Sequence, residues 1–438
     1  MGKFVPVTDK EEKEMLAKIG VSSIEDLFAN IPEKVKIQEL NLPDGCSELE
    51  VKKAMTDFAK QNRVFDSIFR GAGAYKHYIP AIVKSVTSKE AFLTAYTPYQ
   101  AEISQGILQS IFEYQTMMCE LTGMDVSNAS VYDGATAAAE AIAMCKDRKK
   151  NKAIVSGAIH PEVMKTIETY CHGNGIEITV LPVADGKTDI SVLKQAMDAE
   201  TACVYVQSPN YFGLLEDAEE IGKLAKEAKV KYILGVNPIS LGILKTPGEY
   251  GADIAVGEGQ PLGLPLGFGG PYLGFMTATK DMMRKLPGRI VGQTVDVDGK
   301  RAFVLTLQAR EQHIRREKAS SNICSNEALC ALTASVYLAA MGKTGLEQVA
   351  SLCTSKAHYM AAELEKIGYE RVHTGEFFHE FVTKTTKPAK DVLETLEEHG
   401  ILGGLALSDD SILWCCTEMN TKEEIDTLVS ILKGGADV

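Results

Sequence analysis

The amino-acid sequence lacks any uninterrupted run of the roughly 18 apolar residues that a membrane-spanning helix needs. Its beginning, MGKFVPVTDKEEKEMLAKIG, lacks the apolar core of a signal peptide, and its acidic residues argue against a transit peptide. Acidic residues outnumber basic ones by 59 to 46, and the net charge of −13 disfavours nonspecific binding to nucleic acid or to an anionic membrane. We therefore expect a cytoplasmic protein that binds neither.

The ten cysteines lack the spacing of a metal site or of a disulfide framework. There is no CxxC pair and no pattern of His and Cys ligands, and the thiols are scattered through segments that are typical of helices and strands. We expect reduced, buried thiols and no bound metal, as in other proteins of a reducing cytoplasm.

Strand-length apolar runs alternate with helical stretches from about residue 97 onwards. The runs are 153–155, 178–182, 202–207 and 232–236. A long helix is predicted over 100–122, and a second one begins near residue 136. This alternation predicts an α/β fold with a mainly parallel sheet and helices on both faces. We divide the chain into an N-terminal helical arm (1–90), a large α/β domain (91–320) and a smaller C-terminal α+β domain (321–438).

The segment 253–276 lacks a lysine at the position where its pattern calls for one. It reads DIAVGEGQPLGLPLGFGGPYLGFM, a short apolar strand, a Gly- and Pro-rich loop and a second strand. This pattern resembles the segment of fold-type I pyridoxal-phosphate (PLP) enzymes that carries the Schiff-base lysine, and more closely that of the glycine cleavage P-protein family. There, His-Lys precedes a Gly-rich run ending in Gly-Pro. Aligning Gly270 and Pro271 with that run places Gln260 on the lysine. An amide cannot form an imine, so the resemblance implies no catalytic residue here.

Other parts of a PLP site are expected from the same resemblance. Gly134, Ala135 and Thr136, in YDGATA, lie at a helix start where free backbone N–H groups suit a phosphate, although an ordinary helix start looks the same. His160 follows a strand, where some family members stack an imidazole on the cofactor ring; a histidine bonded to the backbone is the alternative.

The position of the carboxylate that keeps the pyridine nitrogen protonated is also changed. Leu234 or Asn237 takes its place, depending on the alignment, and neither is charged. We therefore interpret the pocket as vestigial. Its predicted residues are Gly134, Ala135, Thr136, His160 and Asn237.

Two further motifs resemble the P-protein family closely. The first combines GAGAYKHYIP at 71–80 with TAYTPYQAEISQG at 94–106. The second half carries the resemblance, and its tyrosines flank a proline ahead of a helix. We predict a role at the substrate entrance or at a subunit interface, against the simpler alternative that the tyrosines pack into the core. The candidates are Tyr96, Thr97, Tyr99, Gln100 and Glu102.

The second motif is the run LQAREQHIRREKASSNIC at 307–324, which concentrates cations in an acidic chain. A charged run is usually a solvated face, but this one resembles the family's linker between its large and small domains nearly residue for residue. Its cations suit a phosphate, a carboxylate or an acidic partner surface, and we favour an interface. The candidates are Arg310, His313, Arg315, Arg316 and Asn322.

The resemblance covers about residues 70–330 and is closest to the N-terminal half of the P-protein, which many bacteria encode separately as subunit 1. It implies the fold-type I PLP-transferase fold and a partner, subunit 2, that holds PLP covalently; the αβ pair is expected to pair again. It further implies that the pair decarboxylates glycine, releases CO2 and passes the aminomethyl group to the lipoyl arm of H-protein.

Two alternatives remain from the sequence. One is a self-sufficient PLP enzyme whose lysine lies elsewhere, at Lys245 or Lys280; neither falls at the required bend. The other is a non-catalytic binding or regulatory homologue that has no decarboxylase partner.

Overall fold

The computed structural model describes residues 7–37, 40–324 and 326–434. Contacts group the chain into two units, Met1–Val64 and Phe65–Val438. The first contains the helices Asp9–Ile19 and Glu48–Ala59 and the 3-10 turns Glu25–Phe28 and Glu33–Val35. The predicted domain boundaries at residues 90 and 320 stay predictions.

The second unit is built on a seven-stranded sheet. Its strands are β1 (Val126–Ser127), β2 (Lys152–Ser156), β3 (Glu177–Leu181), β4 (Thr201–Gln207), β5 (Lys231–Gly235), β6 (Ile254–Glu258) and β7 (Gly274–Ala278). The order across the sheet is β3-β2-β4-β5-β6-β7-β1. Strands β2 to β6 are parallel, and β7 is antiparallel to both β6 and β1. The predicted mainly parallel sheet is confirmed.

The central strands of this sheet are buried on both faces, to which their successive side chains point alternately. In β2, Ile154 packs into one hydrophobic cluster, while Ala153 and Val155 pack into another. The helices of this region are Ala81–Thr87, Glu90–Leu93, Gln105–Thr122, Gly134–Cys145, Pro161–Asn174, Ile190–Ala196 and Ala218–Ala228. The near-continuous apolar runs of the central strands follow from burial on two sides.

The helix predicted from residue 100 begins instead at Gln105. Residues 100–104 form turns in which the Gln100 carbonyl accepts the Ser104 N–H at 3.0 Å. The backbone of Ser104 is non-helical (φ −114°, ψ 22°), so the helix begins after it. The side chain of Gln105 then contacts a distant strand. It accepts the Phe303 N–H at 2.8 Å and donates to the Phe303 carbonyl at 2.9 Å, so that it pairs with a strand of the hairpin Val291–Val295/Arg301–Leu305.

One helix, Ala328–Glu365, is long and apolar enough on average to cross a membrane by length and composition. Counting uninterrupted apolar runs missed it, because polar residues interrupt the run. Its backbone breaks at Gly342 (φ 60°, ψ −174°), which joins two helices at a kink. Residues on both sides of this kink, among them Tyr337 and Cys353, pack into the core against the sheet. We therefore interpret it as a core helix.

The C-terminal part contains a three-stranded antiparallel sheet of β8 (Glu380–Lys384), β9 (Leu405–Ser408) and β10 (Ser411–Cys415). The helices Ala389–Glu398 and Lys422–Leu432 contribute apolar side chains to its core. Trp414 is fully buried there, and its indole N–H donates to the Thr383 hydroxyl at 2.8 Å. The short strands Ser67–Ile68 and Ile401–Leu402 pair in parallel, and Val183–Ala184 pairs with Lys187–Thr188.

The close packing of helix Ala218–Ala228 depends on Gly222. A Cβ at this position would lie 2.1 Å from the Tyr250 carbonyl oxygen, which belongs to backbone that cannot easily move. We expect Gly222→Ala to destabilise the protein by about 2 kcal/mol despite alanine's better helix propensity. Denaturant unfolding measures the effect. Gly173→Ala is the matched control, because nothing lies within 4 Å of its Cβ position; it should leave stability unchanged or raise it by up to about 1 kcal/mol.

Candidate functional site

A cavity of about 340 Å³ lies at the carboxyl ends of β4, β5 and β6. In open parallel sheets this edge is the usual ligand site, since loops and helix starts converge there. Tyr205 and Gln207 of β4, Asn237 after β5 and Glu258 of β6 line it. The starts of helices Gly134–Cys145 and Pro161–Asn174 face the same space.

Residues 72–75 line this cavity, and we call them the strap. Gln260 holds the strap from two sides: it accepts the Tyr75 N–H at 2.9 Å and donates to the Tyr75 carbonyl at 2.9 Å. Its amide also donates to the Leu264 carbonyl at 2.8 Å. The Gln260 residue is 1% exposed, so all polar atoms of its amide are used inside the protein. The side chain at the expected lysine position is therefore a buried structural contact.

Two further side chains fix the strap. Buried Glu380, on β8, accepts the Ala72 N–H at 2.6 Å and the Tyr75 hydroxyl at 2.7 Å. His160 donates from Nε2 to the Ala72 carbonyl at 2.9 Å, and its Nδ1 accepts the Glu162 N–H at 3.1 Å. These two bonds require the tautomer with a proton on Nε2. The strap thus links the large sheet to the C-terminal sheet.

Just beyond the strap, His77 and Glu418 form a buried pair. His77 Nδ1 lies 2.7 Å from a Glu418 carboxylate oxygen, and the Cys353 thiol donates to the same oxygen at 3.4 Å. These three side chains have the ligand types of a metal site, which the cysteine spacing did not indicate. The direct 2.7 Å contact matches a hydrogen bond, while His77 Nε2 is buried without a hydrogen-bond partner among the described residues.

Glu258 lies two residues before Gln260 and accepts three backbone N–H groups. These come from Gly134 at 3.0 Å, from Gln260 at 3.0 Å and from Leu273 at 3.1 Å. Burial raises the pKa of this carboxyl to about 7, against the opposing effect of the three backbone hydrogen bonds. Gly134 is required here, because a Cβ would lie 2.8 Å from the Glu258 backbone nitrogen.

PLP does not fit this pocket. Gln260 offers no amine for an imine, and Asn237 offers no charge to a pyridinium nitrogen; its amide accepts the Ile239 N–H at 2.9 Å. Gly134, where a phosphate would be held, already donates to Glu258. None of the described residues that line the cavity is a lysine or an arginine, whereas Asp133, Glu162 and Glu258 are acidic. A phosphate dianion would therefore meet carboxylates without a compensating cation.

The structure brings most of the predicted pocket residues together. Gly134, Ala135, His160 and Asn237 line the cavity. Thr136 is buried in the first turn of its helix, where its N–H donates to Asp133 at 2.7 Å. The alternative to Asn237 in the alignment, Leu234, lies in the hydrophobic core. His160 takes the backbone-bonded role that the sequence left open.

The residues of the 94–106 motif are mostly at the surface. Tyr96 is 84% exposed, and Thr97, Gln100 and Glu102 are exposed as well. Tyr99 is half-buried, with the Arg289 guanidinium 4.5 Å from its ring centre. The core-packing alternative therefore fails for Tyr96.

The cations of the linker separate into one inward side chain, Arg310, and four outward ones, His313, Arg315, Arg316 and Lys318. Arg310 donates to the Leu286 carbonyl and, at 2.6 Å, to the Gly288 carbonyl; burial, with the nearby Arg289 charge, lowers its pKa to about 10. This makes Arg310 a structural residue. His313, Arg315, Arg316 and Asn322 are exposed.

The two motifs meet through a residue outside both. Arg289 contacts Tyr99 on one side and forms a buried ion pair with Glu311 on the other. His313 lies 3.7 Å from the same Glu311 carboxylate.

Three residues of this region, Glu258, Arg289 and Glu380, were not among the predicted site residues, and Tyr75 was marked only through its segment 71–80. Glu258 carried a usable signal, because it is a lone acid between an apolar strand and a Gly-rich loop. Tyr75 and Glu380 are separated by 305 positions, so no local pattern could have paired them.

Sheet order, helix arrangement and pocket position define the class of fold-type I PLP enzymes. A cysteine desulfurase from Thermococcus onnurineus shares this fold, with a TM-score of 0.63 and 15% identity over 90% of this chain and 99% of that chain. The family model of the glycine cleavage system P-protein matches residues 2–432. The chain belongs to the glycine cleavage system P-protein family.

Two relatives are similar over nearly their whole length. A probable glycine dehydrogenase (decarboxylating) subunit 1 of Carboxydothermus hydrogenoformans is 52% identical over 442 residues, which cover 99% of each chain. The crystal structure of a glycine decarboxylase (P-protein) of the glycine cleavage system, in inhibitor-bound form, has a TM-score of 0.93 and 40% identity. The alignment covers 99% of this chain and 100% of that chain.

We expect Gln260→Ala to lower the free energy of unfolding by about 3 kcal/mol, because it leaves the Tyr75 N–H and carbonyl unpaired in a buried setting. Urea unfolding of the full chain measures the loss. Gln207→Ala is the control: Gln207 lines the same cavity, but the hydrogen bond recorded for its side chain is a long one of 3.4 Å. Equal losses in the two variants would contradict the role given to Gln260.

Glu380 should make the protein less stable as the pH rises. Burial raises its folded pKa from 4.5 to about 7, so that the folded state holds a proton that the unfolded state has released between these values. Between pH 4.5 and about pH 7, the contribution of Glu380 to the free energy of unfolding falls by about 3 kcal/mol. We expect Glu380→Gln to flatten the decline of the melting temperature between pH 5 and 8, whereas exposed Glu162→Gln should leave it unchanged. An unaltered slope in the Glu380 variant would disprove this assignment.

Proposed function

We propose that this chain is subunit 1 of a heteromeric glycine dehydrogenase (decarboxylating) in which a partner, subunit 2, supplies the lysine and holds PLP. Together they decarboxylate glycine, release CO2 and transfer the aminomethyl group to the lipoyl arm of H-protein. PLP supplies the electron sink for the loss of CO2 when it is bound in the partner. We propose a cytoplasmic αβ pair that pairs again.

The main support for this proposal is that the Gln260 amide is fully hydrogen-bonded within the fold. A lysine lost by decay would leave a pocket with unsatisfied groups, but every polar atom of the Gln260 amide has a partner within the fold. A full-length relative of the P-protein family with such a pocket is best explained as a stable non-lysine subunit. Its contribution to catalysis is then made through surfaces that it presents to the partner.

The two surface motifs supply such a surface. Tyr96 is 84% exposed and Ile103 is 76% exposed, both on the segment 94–106, and Phe268 of the Gly-rich loop is 94% exposed. Aromatic side chains and arginines are enriched at protein interfaces. Arg315 and Arg316 form no ion pair with any residue that the structure describes. We assign this surface to contact with subunit 2 and to the approach of glycine.

The self-sufficient alternative is not supported by the positions of its lysines. Lys245 is exposed and pairs with Glu219 at 3.1 Å, and Lys280 is exposed at the end of β7. Neither lines the cavity. A Schiff base on either lysine would lie outside the pocket that this fold uses.

Co-expression with the subunit 2 homologue tests the function. We expect the two chains to co-purify, and glycine–bicarbonate exchange with lipoylated H-protein to need both of them. This chain alone should be inactive, and so should its Gln260→Lys variant alone, since Asn237 still replaces the acid.

Two results would overturn this function. One is exchange by subunit 2 and H-protein without this chain, which would favour the regulatory alternative. The other is an aldimine absorption band in the purified chain that borohydride removes, which would favour the self-sufficient enzyme.

A further inference from the structure

Helix Gly134–Cys145 begins in the way that anion-binding helices do. The helix begins with small residues, and the first two, Gly134 and Ala135, line the cavity. The helix dipole favours negative charge at this end. Two of the helix's first amides are already used within the chain: Gly134 donates to Glu258, and Thr136 donates to Asp133 at 2.7 Å.

The contacts of Glu258 extend this arrangement beyond the helix. Its Oε2 accepts from Gly134, and its Oε1 accepts from Gln260 and Leu273, so that donors from three separate chain segments converge on one carboxylate. Three convergent backbone N–H groups are what a phosphate oxygen would need. When it is ionised, the Glu258 carboxyl carries a negative charge that these donors stabilise.

The space and the charge around the Glu258 carboxyl also disfavour a bound phosphate. The Glu258 backbone is so close to the helix start that a Cβ on Gly134 would lie 3.1 Å from its Cα. The acidic side chains around the cavity, Asp133 and Glu162 besides Glu258, face no lysine or arginine among the described lining residues. An added anion would therefore compete with a carboxylate that is tethered and already hydrogen-bonded.

We infer that the Glu258 carboxyl fills the phosphate position of this pocket by taking up its backbone donors, and closes it to phosphate-bearing ligands. Gln260, at the expected lysine position, is itself occupied by its hydrogen bonds to the strap. The inference concerns the chain's own pocket and does not depend on which partner it has. It extends the proposed function, because it names the residue that keeps the cofactor out of this subunit.

Binding of inorganic phosphate to the purified full-length chain tests this inference by calorimetry and phosphorus NMR. The unaltered chain should show no saturable binding in the millimolar range. Glu258→Ala frees the three donors and should bind phosphate at least about tenfold more tightly. Glu258→Gln keeps the side-chain size, removes the charge and should show a smaller gain.

Glu162→Gln is the matched control, because Glu162 lines the same cavity but its carboxylate pairs with Lys165 at 2.9 Å instead of contacting the helix start. It should bind phosphate no better than the unaltered chain. Saturable binding by the unaltered chain would overturn the inference, and so would folded Glu258 variants that gain none. Neither result would bear on reconstituted glycine exchange, so the two proposals fail separately.

A measurement on the unaltered chain covers the case in which both Glu258 variants fail to fold. With 15N-labelled glycine, the Gly134 amide resonance should move as the Glu258 carboxyl titrates, with a midpoint of about pH 7. A resonance that does not change from about pH 5 to about pH 9 would contradict the contact on which the inference rests.

Discussion

The pair of hydrogen bonds between the Gln260 amide and the Tyr75 backbone is the contact on which the pocket depends. It joins the loop after β6 to the strap, and the strap continues through the Tyr75 hydroxyl to Glu380 on the C-terminal sheet. One side chain at the carboxyl edge of the large sheet thereby fixes the position of the two sheets relative to the cavity. Because this contact is buried, its partners cannot be replaced by water without cost.

A lysine at position 260 could not make this contact. An ammonium group has three donors and no acceptor, so the Tyr75 N–H would lose its partner. Glutamine in place of lysine therefore removes the nucleophile and also supplies the oxygen that accepts the Tyr75 N–H. Glu258 acts in a similar way nearby, since a carboxylate can satisfy three amides that a bound phosphate would otherwise satisfy. The backbone around the pocket therefore stays ordered without a cofactor, because Gln260 and Glu258 satisfy its polar groups.

Several parts of this arrangement were predictable because they are local or periodic. The apolar runs gave the strands, since a parallel sheet buried on both faces leaves no alternation of polar residues. The Gly-rich motif marked Gln260, and YDGATA marked a helix start. The start of helix Gln105–Thr122 was placed five residues early, at a point where Ser104 is non-helical and where Gln105 pairs with Phe303, far away in sequence. Arg310 looked like a surface cation, but the carbonyls of the 286–288 turn bind it inside.

The sequence by itself determined the α/β class, the family and the absence of an imine-forming lysine at position 260, because each rests on local patterns. The tertiary structure decided what replaces the lysine. Only folding brings Tyr75, Gln260 and Glu380 together and places the Glu258 carboxylate against the start of another helix. These contacts join segments more than a hundred residues apart, and burial gives them their strength, because water cannot compete for the same donors and acceptors.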